Sequence, residues 1–387
     1  MVSIEEALSI VKSQEVERDT LDLPLSESLG YSLGESIESP LNLPPFDNSA
    51  MDGYAICGTS KTFQVVSEIP AGSLEHVELK GGEAARIFTG GKIPINTTAV
   101  IMQEKTSVDG NTLFIDDEIV EGKNIRRLGG EIEKGQIVFE AGQKVTPSAI
   151  GMIASLGFTQ VTVFKKPEIN ILTTGDELVP PGKELQEGQI YESNSVAISG
   201  AVQQYGFSTS SASQVADEYD KVNSKIKETL AKSDVLLISG GISVGEYDFV
   251  KRALEENRVE ELFYKVFQKP GKPLFFGRKD STFVFALPGN PASSLTCFYI
   301  YVLPLLHKLA GSINLGLQQL KAPLSAEFEM KSDRPTFFKA SFENNSVSLL
   351  HAQGSSMVHS MAIGNCLVFL DGPKKYKQGD LVTCFLF

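Results

Sequence analysis

Residues 234–241 read Asp234-Val235-Leu236-Leu237-Ile238-Ser239-Gly240-Gly241, and this stretch decides the fold. Four consecutive large aliphatic residues are the pattern of a strand covered on both faces, as in a parallel sheet. The glycine pair at its carboxyl end lets the chain turn sharply. A helix is expected before it over 219–231, and another after it over 248–257. Upstream, Ile169-Asn170-Ile171-Leu172 repeats the arrangement: it ends in Thr174-Gly175-Asp176-Glu177 and leads to a helix over 195–205. Strands near 263–266 and 283–287 and a helix after Pro291 complete the set. Strand, glycine turn, helix, repeated, predicts a doubly wound α/β domain, whose ligands bind beyond the carboxyl ends of the strands.

The flanks differ. Ile4, Ala7, Leu8 and Val11 recur at helical spacing near the N-terminus, with a capping box from Ser3 to Glu6. The stretch 55–145 has no helical period, and short apolar runs at 63–66, 99–102 and 113–115 read as strands. Asp109-Gly110-Asn111 is expected to turn a hairpin between two of them. A helix over 147–156, with Thr146 as its cap, and a strand over 161–164 follow, and both are expected to pack back on the N-terminal helix. The β region is then an insertion. Beyond residue 320 come short strands again, with turns at Glu343-Asn344-Asn345, Asp371-Gly372-Pro373 and Gly379-Asp380. The expected division is 1–54 with 141–166 as domain I, 55–140 as β domain II, 167–315 as α/β domain III, and 316–387 as β domain IV.

Composition narrows the function. The 387 residues are 42% hydrophobic and 21% charged, which is ordinary globular usage. The formal net charge of −13 argues against a nucleic acid or an anionic membrane as partner. Cys57, Cys297, Cys366 and Cys384 form no CxxC pair and read as reduced thiols. No HExxH motif is present among the four histidines. The apolar run 295–306 is too short to span a bilayer and contains Pro304. The expected location is the cytoplasm.

Three loops at expected strand ends carry chemistry. In the first, Thr174-Gly175-Asp176-Glu177, hydroxyl and carboxylate groups sit at a glycine turn. The second is Ser239-Gly240-Gly241-Ile242-Ser243-Val244-Gly245-Glu246-Tyr247-Asp248. Its glycines allow backbone amides to approach an anion, Ser239 and Ser243 add donors, and Asp248 would hold Mg²⁺ or cap the next helix. It is neither a GxGxxG nor a P-loop. The third joins Lys265 and Lys269-Pro270-Gly271-Lys272-Pro273 to Leu287-Pro288-Gly289-Asn290-Pro291, setting lysines on a stiff turn beside a helix start. Together they describe a site for an oxyanionic or phosphorylated ligand with a divalent metal. The residues alone do not name the substrate.

Read in order, Pro44-Pro45-Phe46-Asp47-Asn48-Ser49-Ala50-Met51-Asp52-Gly53-Tyr54-Ala55 and the three loops resemble the MoeA-type molybdopterin molybdenumtransferases, relatives of the gephyrin E domain. Gly188-Gln189-Ile190-Tyr191, Ser193-Asn194-Ser195 and Ala352-Gln353-Gly354-Ser355 extend the resemblance along essentially the whole chain. It implies an elongated four-part subunit with a MogA-like α/β domain and a small C-terminal β-barrel. It also implies a homodimer with its site at the subunit boundary, and insertion of molybdate into adenylylated molybdopterin with Mg²⁺-assisted release of AMP. A MogA-like molybdopterin adenylyltransferase would supply the substrate, and molybdoenzymes would accept the product.

Carried over by motif, the resemblance implies catalytic roles for Asp52, Thr89, Glu177, Asp248, Lys265 and Lys269. It implies ligand-binding roles for Asp217, Ser239, Gly240, Gly241, Ser243, Gly245, Lys272, Pro288, Gly289, Asn290 and Pro291. Glu177 and Asp248 would hold the metal, and the lysines the phosphate and molybdate oxyanions. Without the resemblance, Asp47 and Asp52 read as Asx-turn residues. The sequence departs from the family pattern at Thr98, where an acid is usual, and at Gly129-Gly130-Glu131-Ile132 after Arg126-Arg127. Two other classes compete: a gephyrin-like peptide-binding scaffold and a related molybdopterin adenylyltransferase.

Overall fold

The computed structural model describes residues 1–241 and 249–387. Within residues 234–241 lies the strand Val235–Ser239, buried at every position. It lies inside a six-stranded sheet in the order Thr209–Val215, Ile169–Thr174, Val235–Ser239, Thr282–Leu287, Phe275–Lys279, Glu260–Tyr264. The first four strands are parallel, and Phe275–Lys279 alone runs the other way, pairing antiparallel with both of its neighbours. Alternate side chains feed two separate cores. Val235 and Leu237 pack with Ile198 and Val202 of the helix Asn194–Gln204. Leu236 and Ile238 pack with Val222 and Ile226 of Tyr219–Leu230 and with Val250 and Leu254 of Phe249–Glu256. Helices therefore cover both faces, as a doubly wound domain requires.

The strand Phe275–Lys279 has no counterpart in the sequence reading. Gly277, Arg278 and Lys279 dilute its apolar character, and only the two-residue turn at Asp280-Ser281 places it beside Thr282–Leu287. The run 295–306 is core, not membrane. It falls in a helical segment that passes from Pro291–Cys297 through a π-turn stretch, Phe298–Val302, to Leu303–Leu309, and is almost wholly buried. No helix among the described residues is long and apolar enough to cross a membrane.

One packing expectation is corrected. The helix Ile4–Ser13 carries the expected capping box, with Ser3 Oγ accepting from the Glu6 amide at 3.1 Å. Its buried face, Ile4, Ala7 and Val11, joins the α/β core and not the stretch 147–164. Main-chain bonds explain the choice: the Val2 amide donates to Lys265 O at 3.0 Å, and the Phe267 amide donates to Val2 O at 2.8 Å. The helix Pro147–Ser155, capped by Thr146 Oγ1 on the Ala149 amide, packs instead with Leu25, Leu33 and Ile37. The strand Gln160–Phe164 pairs with Thr20–Pro24.

Residues 53–115 contribute a second six-stranded sheet, ordered Ala99–Met102, Gly53–Ile56, Glu83–Ile87, Thr62–Ile69, Thr112–Ile115, Thr106–Asp109. The hairpin at Gly110 is real, but its first arm is Thr106–Asp109, too polar to be read as a strand. Ala99–Met102 pairs with Gly53–Ile56 at the opposite edge. The C-terminal sheet runs Gln318–Pro323, Leu381–Leu386, Cys366–Leu370, Thr336–Glu343, Ser346–Leu349. A bridge between Leu324 and Val347 brings its two edges together, so the sheet curls into a small barrel. Asn344 and Asn345, both at positive φ, make the tight turn predicted between two of its strands.

Candidate functional site

The carboxyl ends of Ile169–Thr174, Val235–Ser239 and Thr282–Leu287 open on a cleft of about 530 Å³. Thr173, Thr174, Glu177, Asn194, Ser239 and Gly240 line it, and Pro288, Gly289, Asn290 and Pro291 close one wall. Asn194 ties two of the loops together: its Nδ2 donates to Ser239 Oγ at 2.9 Å and to Gly289 O at 2.7 Å. Glu192, 7% exposed, holds the start of the same helix through the Ser195 amide at 2.9 Å and the Ser195 hydroxyl.

The Gly240 turn is sterically obligatory. Its φ is +93°, and a Cβ there would lie 2.3 Å from the carbonyl oxygen of Thr174. Gly240→Ala is therefore expected to cost about 1–3 kcal/mol. Chemical denaturation would measure it, and an unchanged midpoint would show that the turn relaxes freely.

A second cavity, about 240 Å³, adjoins the first and shares Pro273, Pro288 and Asn290 with it. Lys269, Lys272 and Arg334 line it, with Gln353 and Ser355. None of the three cations has a carboxylate within ion-pair distance among the described residues. Like charges gathered without counter-charge repel one another, and an anion would relieve that repulsion. The lysine turn is set by Gln268, which is fully buried: its Nε2 donates to the carbonyls of Pro270 and Gly271 at 3.1 and 3.2 Å, and its Oε1 accepts from the Tyr301 hydroxyl. Arg334 arrives through main-chain pairing. The Lys269 amide donates to Pro335 O at 2.9 Å, and the Phe337 amide to Lys269 O at 2.8 Å.

The anticipated residues divide into groups. Glu177, Ser239, Gly240 and the 288–291 loop stand at the cleft, and Lys269 and Lys272 at the cavity. Gly241 continues the turn behind them, against Thr174 and Val250. Asp217 sits behind the cleft, accepting from Thr174 Oγ1 at 3.0 Å. Lys265 lines neither space; its ammonium lies 4.6 Å from the centre of the Tyr264 ring. Ser243, Gly245 and Asp248 lie outside the described residues.

Asp52 and Thr89 form their own constellation on the second sheet. Asp52 Oδ1 accepts from the Thr89 amide at 2.7 Å and from the Thr89 hydroxyl at 2.8 Å. These bonds, with Arg86 nearby, hold the Asp52 carboxyl below the usual carboxylate range. Asp47 accepts from the Leu128 amide and from Arg127, both at 2.7 Å. Burial raises its pKa, and these partners more than offset that rise. Neither aspartate is an Asx-turn residue, because both reach far along the chain. Thr98, at one departure from the family pattern, accepts at its Oγ1 from the amide of Gly58, 40 residues away along the chain, at 2.9 Å. Neither Asp52 nor Thr89 lines the cleft or the cavity.

The residue roles missed by sequence reading are those of Glu192, Gln268 and Arg334. Glu192 fixes the start of a helix at the cleft and Gln268 fixes the lysine turn, both by hydrogen bonds, and Arg334 is brought in from 65 positions beyond Lys269 by the C-terminal barrel. No local pattern announces any of them.

Family models match three parts of the chain: "MoeA N-terminal region (domain I and II)" over 2–157, "Probable molybdopterin binding domain" over 170–308, and "MoeA C-terminal region (domain IV)" over 321–387. A molybdopterin molybdenumtransferase of Haemophilus influenzae is 34% identical, covering 93% of this chain and 92% of its own. One of Staphylococcus epidermidis is 31% identical over 100% and 95%. The crystal structure of a molybdopterin biosynthesis MoeA protein from Pyrococcus horikoshii OT3 superposes with a TM-score of 0.86, at 29% identity and 100% coverage of both chains.

Proposed function

Because the chain belongs to the MoeA family of molybdopterin molybdenumtransferases, transferases of molybdenum-cofactor biosynthesis, we propose that it inserts molybdate into adenylylated molybdopterin with release of AMP. The observation that carries this finer reading is the cavity of Lys269, Lys272 and Arg334, cations without carboxylate partners beside a larger cleft at the strand ends. In this reading the cavity receives molybdate. The cleft receives the pterin and its phosphoanhydride, between the Ser239-Gly240 turn and the 288–291 loop. The cations offset the negative charge that develops as the phosphoanhydride breaks. Pro288 and Pro291 keep the wall rigid and do no acid–base chemistry.

A magnesium ion fits the donor set at the cleft. The Glu177 carboxylate has no hydrogen-bond or ion-pair partner among the described residues. Among the described residues, no group of three or more His, Cys, Asp or Glu side chains is placed to hold a metal ion. That suits Mg²⁺, which takes one or two carboxylates plus substrate phosphates and water. Glu177 would hold it, together with Asp248 from the segment outside the described residues. When bound it supplies charge neutralisation at the phosphoanhydride oxygens.

Asp52 and Thr89 belong to this site only if a second copy of the chain supplies them. That is the reason to propose a homodimer whose cleft is completed across the subunit boundary. A MogA-like adenylyltransferase would deliver the adenylylated substrate, and molybdoenzymes would receive the product. The test is AMP release from adenylylated molybdopterin by the purified protein with Mg²⁺, with and without molybdate. Release that depends on molybdate is the expected result. No release sinks the reading, and ATP-dependent adenylylation of molybdopterin would replace it with the adenylyltransferase.

A further inference from the structure

Lys339 lies on the strand Thr336–Glu343, is 2% exposed, and has no ion-pair partner among the described residues. Its Nζ donates to the carbonyls of Ala352, Gly354 and Met357 at 2.8, 2.9 and 2.9 Å. An ammonium has three donors, and a buried one is tolerable when all are used, as here. The same turn is bound to the Lys339 main chain. Gln353 Oε1 accepts from the Lys339 amide at 3.0 Å, and Gln353 Nε2 donates to Lys339 O at 2.8 Å. Ser360 Oγ adds a bond to Ala352 O at 2.8 Å.

The result is a polarised turn. Carbonyls 352, 354 and 357 go to Lys339, Ser355 O accepts from the Ser293 amide, and Ser356 O accepts from the Val358 amide. The backbone amides of Gln353, Gly354, Ser355 and Ser356 donate to no acceptor among the described residues. Gln353 and Ser355 line the cavity of Lys269, Lys272 and Arg334, and Ser356 lines the cleft. Successive free amides with their carbonyls turned away make an anion-binding concavity.

We propose that Lys339 is a positioning residue for the anion cavity: it gathers the carbonyls of the 352–357 turn and thereby leaves amide and hydroxyl donors for an oxyanion. The inference rests on the oxyanion reading of that cavity. It separates Lys339 from the lysines that touch the ligand, because its own ammonium is spent inside the fold.

The test is calorimetric titration of molybdate into the full-length wild type and Lys339→Met, with molybdate KM and kcat measured in parallel. The expected result is a Kd and KM for molybdate raised about tenfold in the variant, with kcat at saturating molybdate within about twofold of wild type. A merely structural role would lower the amount of active protein without moving KM. Unchanged affinity in a folded Lys339→Met overturns the inference and leaves the cavity reading standing. Failure of the wild type to bind molybdate overturns the cavity reading, and this inference with it. Should the variant not fold, hydrogen exchange on the wild type decides the matter. Molybdate is expected to slow exchange at the amides of 353–356, and no slowing there overturns the proposal.

Discussion

Replacing Lys269 with methionine is expected to cut molybdate-dependent turnover by about 10²–10³, the range seen when one preorganised donor to a developing negative charge is removed. Methionine keeps most of the side-chain length and loses the charge. Lys272 and Arg334 remain, so the cavity stays cationic, and the loss should fall on the reaction more than on folding. Lys269 also bonds the C-terminal barrel through its main chain, and the substitution leaves that pairing intact. The measurement is AMP release against molybdate concentration, with circular dichroism to confirm folding. Arginine at the same position should restore part of the rate. A folded Lys269→Met within threefold of wild type would show that the oxyanion does not use this cavity.

The second large effect concerns Asp52, which lines neither the cleft nor the cavity of its own chain. Asp52→Asn preserves shape and an acceptor for Thr89 while removing the charge. If that carboxylate takes part in proton transfer, the loss should be about 10²–10⁴-fold. Its low pKa, caused first by the Thr89 amide, keeps it ionised well into acidic solution, so the wild-type rate should not fall through loss of this charge near neutral pH. The informative experiment mixes Asp52→Asn with Lys269→Met under conditions that exchange subunits. In a two-fold dimer with shared sites, half of the mixed dimers are hybrids, each with one intact site, so about a quarter of wild-type activity should return. No recovery despite demonstrated exchange would mean that both residues act within one chain, or that Asp52 serves elsewhere.

The sequence disclosed the α/β domain because its central strands are continuous apolar runs that end in glycine or proline, a pattern that tertiary context seldom disguises. The place of Ser239, Gly240 and the 288–291 loop at the cleft was legible for the same reason: a strand end is visible, and in an open α/β sheet the crevice lies beyond the strand ends. Other features were hidden by physics. Thr106–Asp109 is a strand through pairing, not through hydrophobicity, and Phe275–Lys279 offers only Phe275 and Phe276 to the core before Gly277, Arg278 and Lys279 break the apolar run. Lys265 was grouped with Lys269 and Lys272 by proximity along the chain, yet its positive φ and its place over Tyr264 direct it elsewhere. Arg334 reaches the cavity, and Lys339 the 352–357 turn beside it, only because the curled C-terminal sheet returns the chain to the lysine turn. The buried Cys297, Cys366 and Cys384 are free thiols, and Cys57 is a free thiol at a less covered position.

The docking of Ile4–Ser13 onto the α/β core has a practical corollary for anyone dissecting this molecule. The α/β unit borrows its first helix from the opposite side of an intervening segment, so it cannot be lifted out as one continuous piece. A fragment beginning at Pro167 would leave bare the surface of Phe298–Val302 and Leu303–Leu309 on which Ile4, Ala7 and Val11 rest. Such a fragment should self-associate or precipitate. Adding residues 1–13 back as a separate peptide, or grafting them ahead of Pro167 by a flexible tether, should restore a monodisperse unit. The helix Ile4–Ser13 thus acts as a clasp, coupling the integrity of the α/β layer to a segment more than 150 residues away from it along the chain.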